Sequence, residues 1–422
     1  MRAEILTIGD ELCRGEIIDT NSSELAALLW DADITTRWMT SCTDDDDDIR
    51  TAVTNAIGRA DLVVCSGGLG PTEDDLTVDV MAGLAGAPAV VEPVALARMI
   101  ERFGAFYTNG TDELRAIQAR QVRVPTGARV FANAAGLAPG FEIAIRGVPV
   151  VCLPGIPREV HAILDGGLRA RFAELREARG DVERIARRIY RVFGRGESQV
   201  SQACRGLVDG VAGASIHYQV KFPETLVKLV VRDRDAAAGA ARLATLDAGV
   251  RERLRGLIYG TGDETLVGKV PRRLVEAGKT CATAESCTGG MIGEMITRMP
   301  GSSRAYFGGA IVYSNQEKVR QLGVREDTLA AHGAVSEPTV REMAIGARER
   351  FGTSYGVSVS GVAGPDGGTP DKPVGTVWLG LASERGVVTK KLAWPGTRDQ
   401  IRTLSAWWAL RMIDEDLDNH DA

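Results

Sequence analysis

Residues 280–291, TCATAESCTGGM, join a short apolar strand to the start of a helix and decide the fold class of the last third of the chain. The apolar run ends at Ala284, and the pattern TGGMIGEMITRM from Thr288 onward is typical of a helix. A side chain at such a junction lies at the carboxyl edge of a sheet, where α/β proteins bind their ligands. Ser286 is therefore placed where a nucleophile could act.

The residues around Ser286 are suited to a substrate that carries or develops negative charge. Glycines let the backbone approach a ligand closely, and free N–H groups at a helix start favour an anion or an oxyanion. An alternative is that Ser286 or Thr288 only caps the helix and that the glycines only shape a turn. On the first interpretation, substrate contacts are expected from Glu285, Cys287, Thr288, Gly289 and Gly290.

Strands and helices alternate on both sides of this junction. Toward the C-terminus, the strands GGAIVYS, YGVSVSGVAG and GTVWLGLAS are separated by helices predicted at 316–322, 338–351 and 397–413. Near the N-terminus, the apolar strands AEILTIG, DLVVCSGG and VPVVCLPG end in glycine and lead into helices, which predicts parallel βαβ units. Between these parts, an exposed helix or connector is predicted at 170–189 and an alanine-rich helix at 235–255.

The overall composition limits the class of protein. The chain has 422 residues, which suggests an α/β protein of several domains, and we place these at 1–170, 171–258 and 259–422. The net charge of −6 argues against a surface that coats nucleic acid. Seven cysteines without CxxC spacing disfavour a disulfide framework and a zinc ribbon. With neither a signal peptide nor a long apolar run, we expect a cytoplasmic protein without a membrane partner.

A serine hydroxyl needs a base before it can attack an amide, and the stretch YSNQEK (313–318) offers one. The four histidines form no triad pattern, and the GxSxG motif is absent. A lysine whose pKa is lowered by desolvation can act as the base, and a tyrosine can relay the proton. Lys318 and Tyr313 are the candidates. The alternative is that Lys318 is an ordinary surface lysine.

Two further segments offer groups for binding a substrate. SGVAGPDGG (360–368) begins at a strand end with Ser360 and Gly361 and continues as a glycine-rich loop that exposes backbone donors. In AWPGTRDQ (393–400), Arg398 lies at a predicted helix start and could bind a phosphate with its guanidinium. The alternatives are a flexible hairpin and a surface ion pair, respectively.

In the N-terminal part, GDELCRGEIIDTN (9–21) and SGGLGPTEDDLT (66–77) each follow a buried strand. Glycines leave room for a phosphate, and carboxylates can hold a divalent cation that bridges phosphates. The loop lacks the lysine of a Walker A motif. The alternative is a turn followed by an acidic first helical turn.

The motifs TAESCTGG, YSN–x–x–K, GAVSE, SGVAGPDGG, KPVGTVW and PG–x–R, between about 265 and 413, resemble the C-terminal domain of the CinA family of competence/damage-inducible proteins. The resemblance implies a nicotinamide-nucleotide amidase without a cofactor, which converts nicotinamide mononucleotide to nicotinate mononucleotide and ammonia. It also implies Ser286 as nucleophile, Lys318 as base and Tyr313 as its assistant, with Ser360 and Arg398 binding the substrate.

Residues 1–170, together with NAAGLAPGF (133–141) and LPGIPREV (153–160), resemble the N-terminal domain of the same family, a three-layer fold similar to molybdopterin-biosynthesis proteins. This implies a nucleotide diphosphate site and, for some members, an ADP-ribose pyrophosphatase that uses Mg, Mn or Co. The implied catalytic residue is Asp75. The implied metal ligands are Asp74, Glu11 and Asp44, and the implied substrate contacts are Gly67, Gly68, Thr72 and Asn133.

Two features of this N-terminal resemblance count against a second activity. The motif GDEL stands where many members have GTEL, so that Asp10 could add or perturb a metal ligand. The acidic run 44–48 is also typical of a solvated helix cap.

The middle segment, with FGRGES (193–198) and YQVKFPE (218–224), resembles the KH-like linker domain of the family. It shows no basic stripe, so we expect a spacer or a dimerisation element and no direct contact with nucleic acid. Because the three-domain layout resembles dimeric relatives, a homodimer is expected.

The leading hypothesis is thus an enzyme of pyridine nucleotide recycling, with an α/β amidase domain and a second, pyrophosphatase site. One alternative is an amidase whose N-terminal domain is not catalytic. The other is a non-enzymatic accessory protein in competence or recombination.

Overall fold

The computed structural model describes residues 1–104, 111–180 and 182–418. The chain divides into two compact units. One contains Met1–Ala186 with Arg232–Gly239, and the other contains Arg187–Val231 with Ala240–Ala422. Within the described ranges, every helix is too short or too polar to span a bilayer.

Within its described residues, the first unit begins with eight strands and eight helices. Its strands are β1 (Arg2–Ile8), β2 (Thr35–Cys42), β3 (Leu62–Ser66), β4 (Ala89–Val91), β5 (Arg123–Pro125), β6 (Arg129–Phe131), β7 (Gly140–Ile145) and β8 (Val148–Leu153). Its helices are α1 (Asp10–Cys13), α2 (Thr20–Asp31), α3 (Asp46–Ile57), α4 (Thr77–Ala85), α5 (Pro93–Phe103), α6 (Asp112–Arg120), α7 (Pro157–Ile163) and α8 (Arg169–Ala178), with a π-helical turn at Leu164–Leu168 between the last two.

Six of these strands form one sheet in the order β2-β1-β3-β8-β7-β6. The strands β2, β1, β3 and β8 are parallel to one another, as the βαβ pattern predicts. Strand β7 pairs antiparallel with both of its neighbours, β8 and β6. Helices α3 and α4 pack on one face, and α2, α7 and α8 pack on the other. Because both faces are covered, β1 from Ala3 onward and all of β3 are buried.

The middle segment forms a four-stranded sheet in the order β10-β11-β9-β12. Its elements are β9 (Arg184–Val192), α9 (Glu197–Ala203), β10 (Ala214–Lys221), β11 (Glu224–Asp233), α10 (Ala236–Arg253) and β12 (Ile258–Thr261). The prediction for 170–189 is wrong in its second half, since β9 begins at Arg184. The arginines of β9 reach nearby carboxylates; the Arg188 guanidinium, for example, lies 2.6 Å from the Asp247 carboxylate. Charged side chains are therefore compatible with a paired strand.

The C-terminal segment supplies the last sheet and its helices. The strands are β13 (Cys281–Glu285), β14 (Tyr306–Ile311), β15 (Tyr355–Gly361), β16 (Thr376–Ser383) and β17 (Gly386–Ala393). The helices are α11 (Leu266–Glu276), α12 (Met291–Thr297), α13 (Asn315–Leu322), α14 (Glu326–His332), α15 (Glu337–Phe351) and α16 (Arg398–Asp418), with a 3₁₀ turn at Ser302–Arg304.

The strand order of this sheet is β14-β13-β15-β16-β17. The first three strands are parallel to one another, whereas β16 pairs antiparallel with both of its neighbours, β15 and β17. Helices α11, α12 and α16 cover one face, and α13 and α15 cover the other. The predicted α/β class is confirmed. Since β14, β13 and β15 run in one direction, the residues that follow them meet at one edge of the sheet.

Candidate active site

Three separate stretches of sequence meet at the carboxyl edge of the C-terminal sheet. Ser286 follows β13, Tyr313 follows β14, and Ser360 lies at the end of β15. The register of the central strand is maintained up to this edge, because the Ser286 N–H donates to the Val359 carbonyl at 3.0 Å. The sheet therefore gathers the candidate groups that are far apart along the chain.

Ser286 and Lys318 are in direct contact. The Lys318 Nζ lies 3.3 Å from the Ser286 Oγ, although the two residues are 32 positions apart. The same amine donates to the main-chain carbonyls of Val312 at 2.9 Å and Tyr313 at 3.3 Å. Lys318 is only 1% exposed, so the alternative of a surface lysine is wrong. The pairing of this amine with this hydroxyl, which the family resemblance implies, is present as a direct contact, and the catalytic roles of the two residues stay predictions.

The partners of the Lys318 amine leave one of its positions for Ser286. A carbonyl oxygen can only accept, so the carbonyls of Val312 and Tyr313 use two N–H groups of the amine. In a neutral amine the remaining position is a lone pair, and it is directed at the Ser286 hydroxyl. Burial lowers the pKa of Lys318, and the Cys287 thiol raises it by a smaller amount. The arrangement can therefore remove a proton from Ser286.

The turn after Ser286 differs from the prediction. The helix was expected from Thr288, but α12 begins at Met291, and residues 287–290 form a turn. The carboxylate of Glu285, itself 1% exposed, accepts the N–H groups at the helix start. Its three donors are Gly290 at 2.9 Å, Ile292 at 3.1 Å and Gly293 at 3.0 Å. These N–H groups are therefore not available to a substrate anion.

Glu285 thus shapes the turn through its side chain, and its contact with substrate stays a prediction. We expect Glu285→Gln to lower the free energy of unfolding by about 1.5–3 kcal/mol, because an amide loses charge-assisted acceptors that the buried N–H groups need. Chemical denaturation measures this. Glu294→Gln is the matched control, since Glu294 is exposed and, among the residues that the structure describes, its carboxylate pairs with Arg298 on the surface of α12. Equal losses in the two variants would contradict this role for Glu285.

The other predicted residues of the turn are also buried. Cys287 is 5% exposed, and burial raises the pKa of its thiol to about 11, so the thiol stays protonated at neutral pH. The side chain of Thr288 is fully buried, and its hydroxyl has no hydrogen-bond partner among the described residues. In the same part of the chain, the main-chain N–H groups of Cys287 and Thr288 have no oxygen acceptor. These two N–H groups remain available beside Ser286.

Tyr313 and Arg398 lie together on the exposed side of the site. Tyr313 is 61% exposed, and its hydroxyl accepts a hydrogen bond from the Arg398 Nη2 at 3.2 Å. The Arg398 Nη1 donates to the Gly364 carbonyl at 2.7 Å. Tyr313 therefore touches Lys318 through its main chain, while its side chain contacts Arg398. Its role as assistant of the base stays a prediction.

Ser360 and Gly361 are placed at the same edge, but both are tightly packed. The Ser360 hydroxyl is 1% exposed and donates to the Ala334 carbonyl at 2.8 Å. A Cβ at Gly361 would lie 2.5 Å from a Val377 methyl carbon, so a larger residue would not fit there. The oxygen of Ser360 can still accept from a substrate, and substrate contacts from both residues stay predictions.

The predicted N-terminal catalytic residue, Asp75, is held within its own loop. One oxygen accepts the Gly70 N–H at 2.7 Å, and the other accepts the Thr72 N–H at 2.9 Å together with the Thr72 hydroxyl. These bonds close the turn that precedes α4. Asp75 and Thr72 are thus engaged with each other, and their roles toward a nucleotide stay predictions.

The glycines and the asparagine predicted to contact a diphosphate pack against the protein itself. A Cβ on Gly67 would lie 2.0 Å from the Ile8 carbonyl oxygen, and one on Gly68 would lie 2.3 Å from the Thr77 hydroxyl. Asn133 is 3% exposed and uses its amide entirely within the protein. Its four partners are Ala138, Glu159, Ala135 and Gly136. Close packing therefore accounts for the two glycines, and internal hydrogen bonds account for the asparagine.

The predicted metal ligands lie near one another without forming a site. Burial raises the pKa of Asp44, and the carboxylates of Glu11, Asp10 and Asp74 raise it further. In the described ranges, no three acidic, histidine or cysteine side chains converge to hold a metal ion. As placed, these side chains do not fit a bound divalent cation, and Asp74, Glu11 and Asp44 as ligands stay predictions. Asp45 in the same run caps α3, as the alternative interpretation of that run predicts.

The sequence analysis missed one charged residue at the C-terminal site. Arg402 lies one helical turn after Arg398 in α16, and its Nη2 donates to the Thr288 carbonyl at 2.9 Å. The spacing of four residues within a predicted helix was a usable signal, because it places both guanidinium groups on one face.

Comparisons with known proteins agree with this three-part organisation. The family model "CinA C-terminal domain" matches residues 263–417, "Probable molybdopterin binding domain" matches 4–173, and "Damage-inducible protein CinA KH domain" matches 187–260. A CinA-like protein from Anaeromyxobacter dehalogenans is 40% identical over 419 residues, covering 98% of this chain and 99% of that protein. A CinA-like protein from Geobacter metallireducens is 37% identical over 420 residues and covers 100% of both chains.

One solved structure matches a part of the chain. The competence/damage inducible protein CihA from Agrobacterium tumefaciens is 36% identical, with a TM-score of 0.35, and the match covers 37% of this chain and 97% of that one. The fold and the site together define a three-domain α/β protein with a serine–lysine pair at a sheet edge. By full-length similarity, the chain belongs to the CinA family of competence/damage-inducible proteins.

Proposed function

We propose that this protein hydrolyses the side-chain amide of nicotinamide mononucleotide and releases nicotinate mononucleotide and ammonia. The observation that carries the proposal is the contact between the Ser286 hydroxyl and a buried Lys318 amine whose other two partners only accept hydrogen bonds. A neutral amine in this position is the base that an amide-cleaving serine requires. No second base is needed, because the same amine can return the proton to the leaving group.

The first half of the reaction forms an ester. Lys318 takes the proton of Ser286 as the Oγ attacks the amide carbon, and the carbonyl π electrons move onto the oxygen. When the tetrahedral intermediate collapses, the C–N bond breaks, and the proton held by Lys318 passes to the nitrogen, which leaves as ammonia. Proton transfer by a positioned base typically accelerates such a step by about 10²–10⁴-fold.

The second half regenerates the serine. Water donates a proton to Lys318 as its oxygen attacks the ester carbon, and the C–Oγ bond then breaks as the proton returns to Ser286. In both halves the negative oxygen needs donors. The main-chain N–H groups of Cys287 and Thr288 follow Ser286 directly, and among the described residues no oxygen accepts from them. One such donor is typically worth about 10²–10³-fold in rate.

The charge around the site supports a phosphorylated substrate. Arg398 is exposed, and the groups that it contacts are the neutral oxygens of Gly364 and Tyr313. Among the described residues no carboxylate forms an ion pair with it. A guanidinium without an anionic partner at a binding site is suited to a phosphate monoester. The lack of an anionic partner for Arg398 therefore favours the nucleotide over the free nucleoside as the substrate class.

The proposal is tested by supplying the purified protein with nicotinamide mononucleotide and, separately, with nicotinamide riboside. We expect equimolar ammonia and nicotinate mononucleotide from the first, with kcat/KM about 10–100-fold higher than for the riboside, the effect of one charge-assisted hydrogen bond. Arg398→Met is expected to remove most of that difference. If neither compound yields ammonia, the proposal is wrong, and binding to a recombination partner would then favour the accessory alternative.

The second predicted activity is not included in this proposal. Asp75 is occupied by its own loop, and the neighbouring carboxylates do not form a metal site as they stand. The ADP-ribose pyrophosphatase activity therefore stays a prediction. The homodimer and the cytoplasmic location also stay predictions.

A further inference from the structure

We propose that Arg402 is a positioning residue for the nucleophile, which holds the turn after Ser286 in its reactive geometry by binding the Thr288 carbonyl. The inference rests on the proposed function for its kinetic consequences. Its geometric basis is independent of the substrate, because it concerns only how the protein holds the backbone beside Ser286.

The peptide between Thr288 and Gly289 is held at both ends. Its carbonyl accepts from the Arg402 Nη2 at 2.9 Å and, at the longer distance of 3.3 Å, from the Met291 N–H. Its N–H donates to the Ser286 carbonyl at 3.1 Å. The orientation of this peptide therefore determines the direction of the Ser286 carbonyl, and with it the backbone that carries the Oγ. A rotation of the peptide would break all three bonds at once.

The turn needs such support because its backbone is intrinsically flexible. Gly289 and Gly290 have φ angles of 61° and 97°, a region that glycine enters freely and shares with many alternatives. Glu285 fixes the helix from Gly290 onward, but it makes no contact with the peptide before Gly289. The Met291 N–H reaches the Thr288 carbonyl only from within the turn, whereas Arg402 supplies the shorter bond from α16, a helix of 21 residues with a buried apolar face.

The surroundings of Arg402 also separate its role from that of Arg398. Arg402 has a side-chain exposure of 27%, and its Nη1 lies 3.7 Å from Asp399, whose side chain is 90% exposed. Arg398, in contrast, is exposed and has no anionic partner in the described chain. Arg402 therefore has the geometry of a residue that acts through the backbone, while Arg398 has the exposed geometry that we propose for binding the phosphate of the substrate.

The test compares Arg402→Met and Arg402→Lys with the control Asp399→Ala. We expect Arg402→Met to lower kcat for nicotinamide mononucleotide by about 10–100-fold with KM changed less than about threefold, the size of a small misplacement of a reacting group. Arg402→Lys, which retains a cationic donor, is expected to recover part of the loss. Asp399→Ala removes only the long surface ion pair and is expected to leave kcat unchanged.

Two further measurements separate a positioning role for Arg402 from a role in phosphate binding. With nicotinamide riboside, the loss in Arg402→Met should be the same fold as with the nucleotide; a loss confined to the nucleotide would overturn the inference and make Arg402 a phosphate ligand. A fluorophosphonate, which labels a reactive serine without any amide, should label Ser286 about 10–100-fold more slowly in Arg402→Met.

The labelling measurement also separates the two proposals. Wild-type protein that is labelled at Ser286 but releases no ammonia would contradict the proposed substrate and still permit the test of Arg402. Equal labelling rates in wild type and Arg402→Met would overturn the positioning role. If Arg402→Met does not fold, the same comparison is made with Arg402→Lys, for which an unchanged labelling rate and an unchanged kcat also overturn it.

Discussion

Replacing Ser286 with alanine is expected to reduce ammonia release from nicotinamide mononucleotide by about 10⁴-fold or more, because removing the nucleophile of a serine hydrolase abolishes the covalent route. The hydroxyl that is lost is the one facing the Lys318 amine at 3.3 Å. Binding groups such as Arg398 are unchanged, so the variant should still bind the nucleotide with an affinity close to that of the wild type. Single-turnover kinetics and equilibrium binding measure the two quantities separately.

Ser383→Ala is the matched control for this variant. Ser383 is 7% exposed and Ser286 is 8% exposed, so both substitutions remove a buried hydroxyl. Ser383 ends β16, which runs antiparallel to β15, and it therefore lies at the opposite edge of the sheet. We expect full activity from this control. More than a tenth of wild-type activity in Ser286→Ala would rule out Ser286 as the nucleophile.

Replacing Lys318 with methionine is expected to lower kcat by about 10²–10⁴-fold, the contribution of a positioned base. Methionine fills a similar volume in the buried position, but it cannot accept the proton of Ser286. Lys279→Met is the matched control, because Lys279 precedes β13 at the opposite edge and makes a partly exposed ion pair with Glu384 at 3.3 Å. Steady-state rates for the two variants give the comparison.

The pH dependence identifies the base. Burial lowers the pKa of Lys318, so the amine is neutral above this lowered pKa and protonated below it. The protonated amine cannot accept from Ser286, and wild-type kcat should therefore fall as the pH decreases through that pKa. The residual activity of Lys318→Met should lack this acidic limb. A limb that persists unchanged in the variant would mean that another group is the base.

The same pKa shift has a consequence for stability, with a defined sign. In the folded protein Lys318 binds fewer protons than in the unfolded chain, where an ordinary lysine titrates near about 10.4. Its contribution to the free energy of unfolding therefore increases as the pH rises between the lowered pKa and that of the unfolded chain. In Lys318→Met the free energy of unfolding should increase less with pH over this window than in the wild type. Chemical denaturation at several pH values would detect the difference.

Sequence patterns predicted the strands β13 to β16 of the C-terminal sheet and missed β17, while the pairing of Ser286 with Lys318 came from the family resemblance. They failed at the turn, where the helix was placed from Thr288 although α12 begins at Met291. The cause is Glu285, whose carboxylate binds the N–H groups at the helix start. Helical periodicity is the same whether a helix start is open or capped by a preceding side chain, so the pattern held no information on this point.

The N-terminal glycines show the same limitation. A glycine-rich loop after a buried strand is typical of phosphate binding, yet Gly67 and Gly68 are required by the close approach of Ile8 and Thr77. The residue type reports that something lies near the backbone, and it does not tell whether the neighbour is a ligand or the protein itself.

What the sequence alone determined is local. Apolar runs, glycines at their ends and helical spacing set the order of strands and helices, because these patterns depend on neighbours within a few positions. The tertiary structure alone decided that the Lys318 amine is buried, that Arg402 reaches Thr288, and that Tyr313 offers its side chain to Arg398. Burial and contact across 32 to 114 positions depend on how helices pack on the sheet, and short-range sequence patterns do not encode that packing.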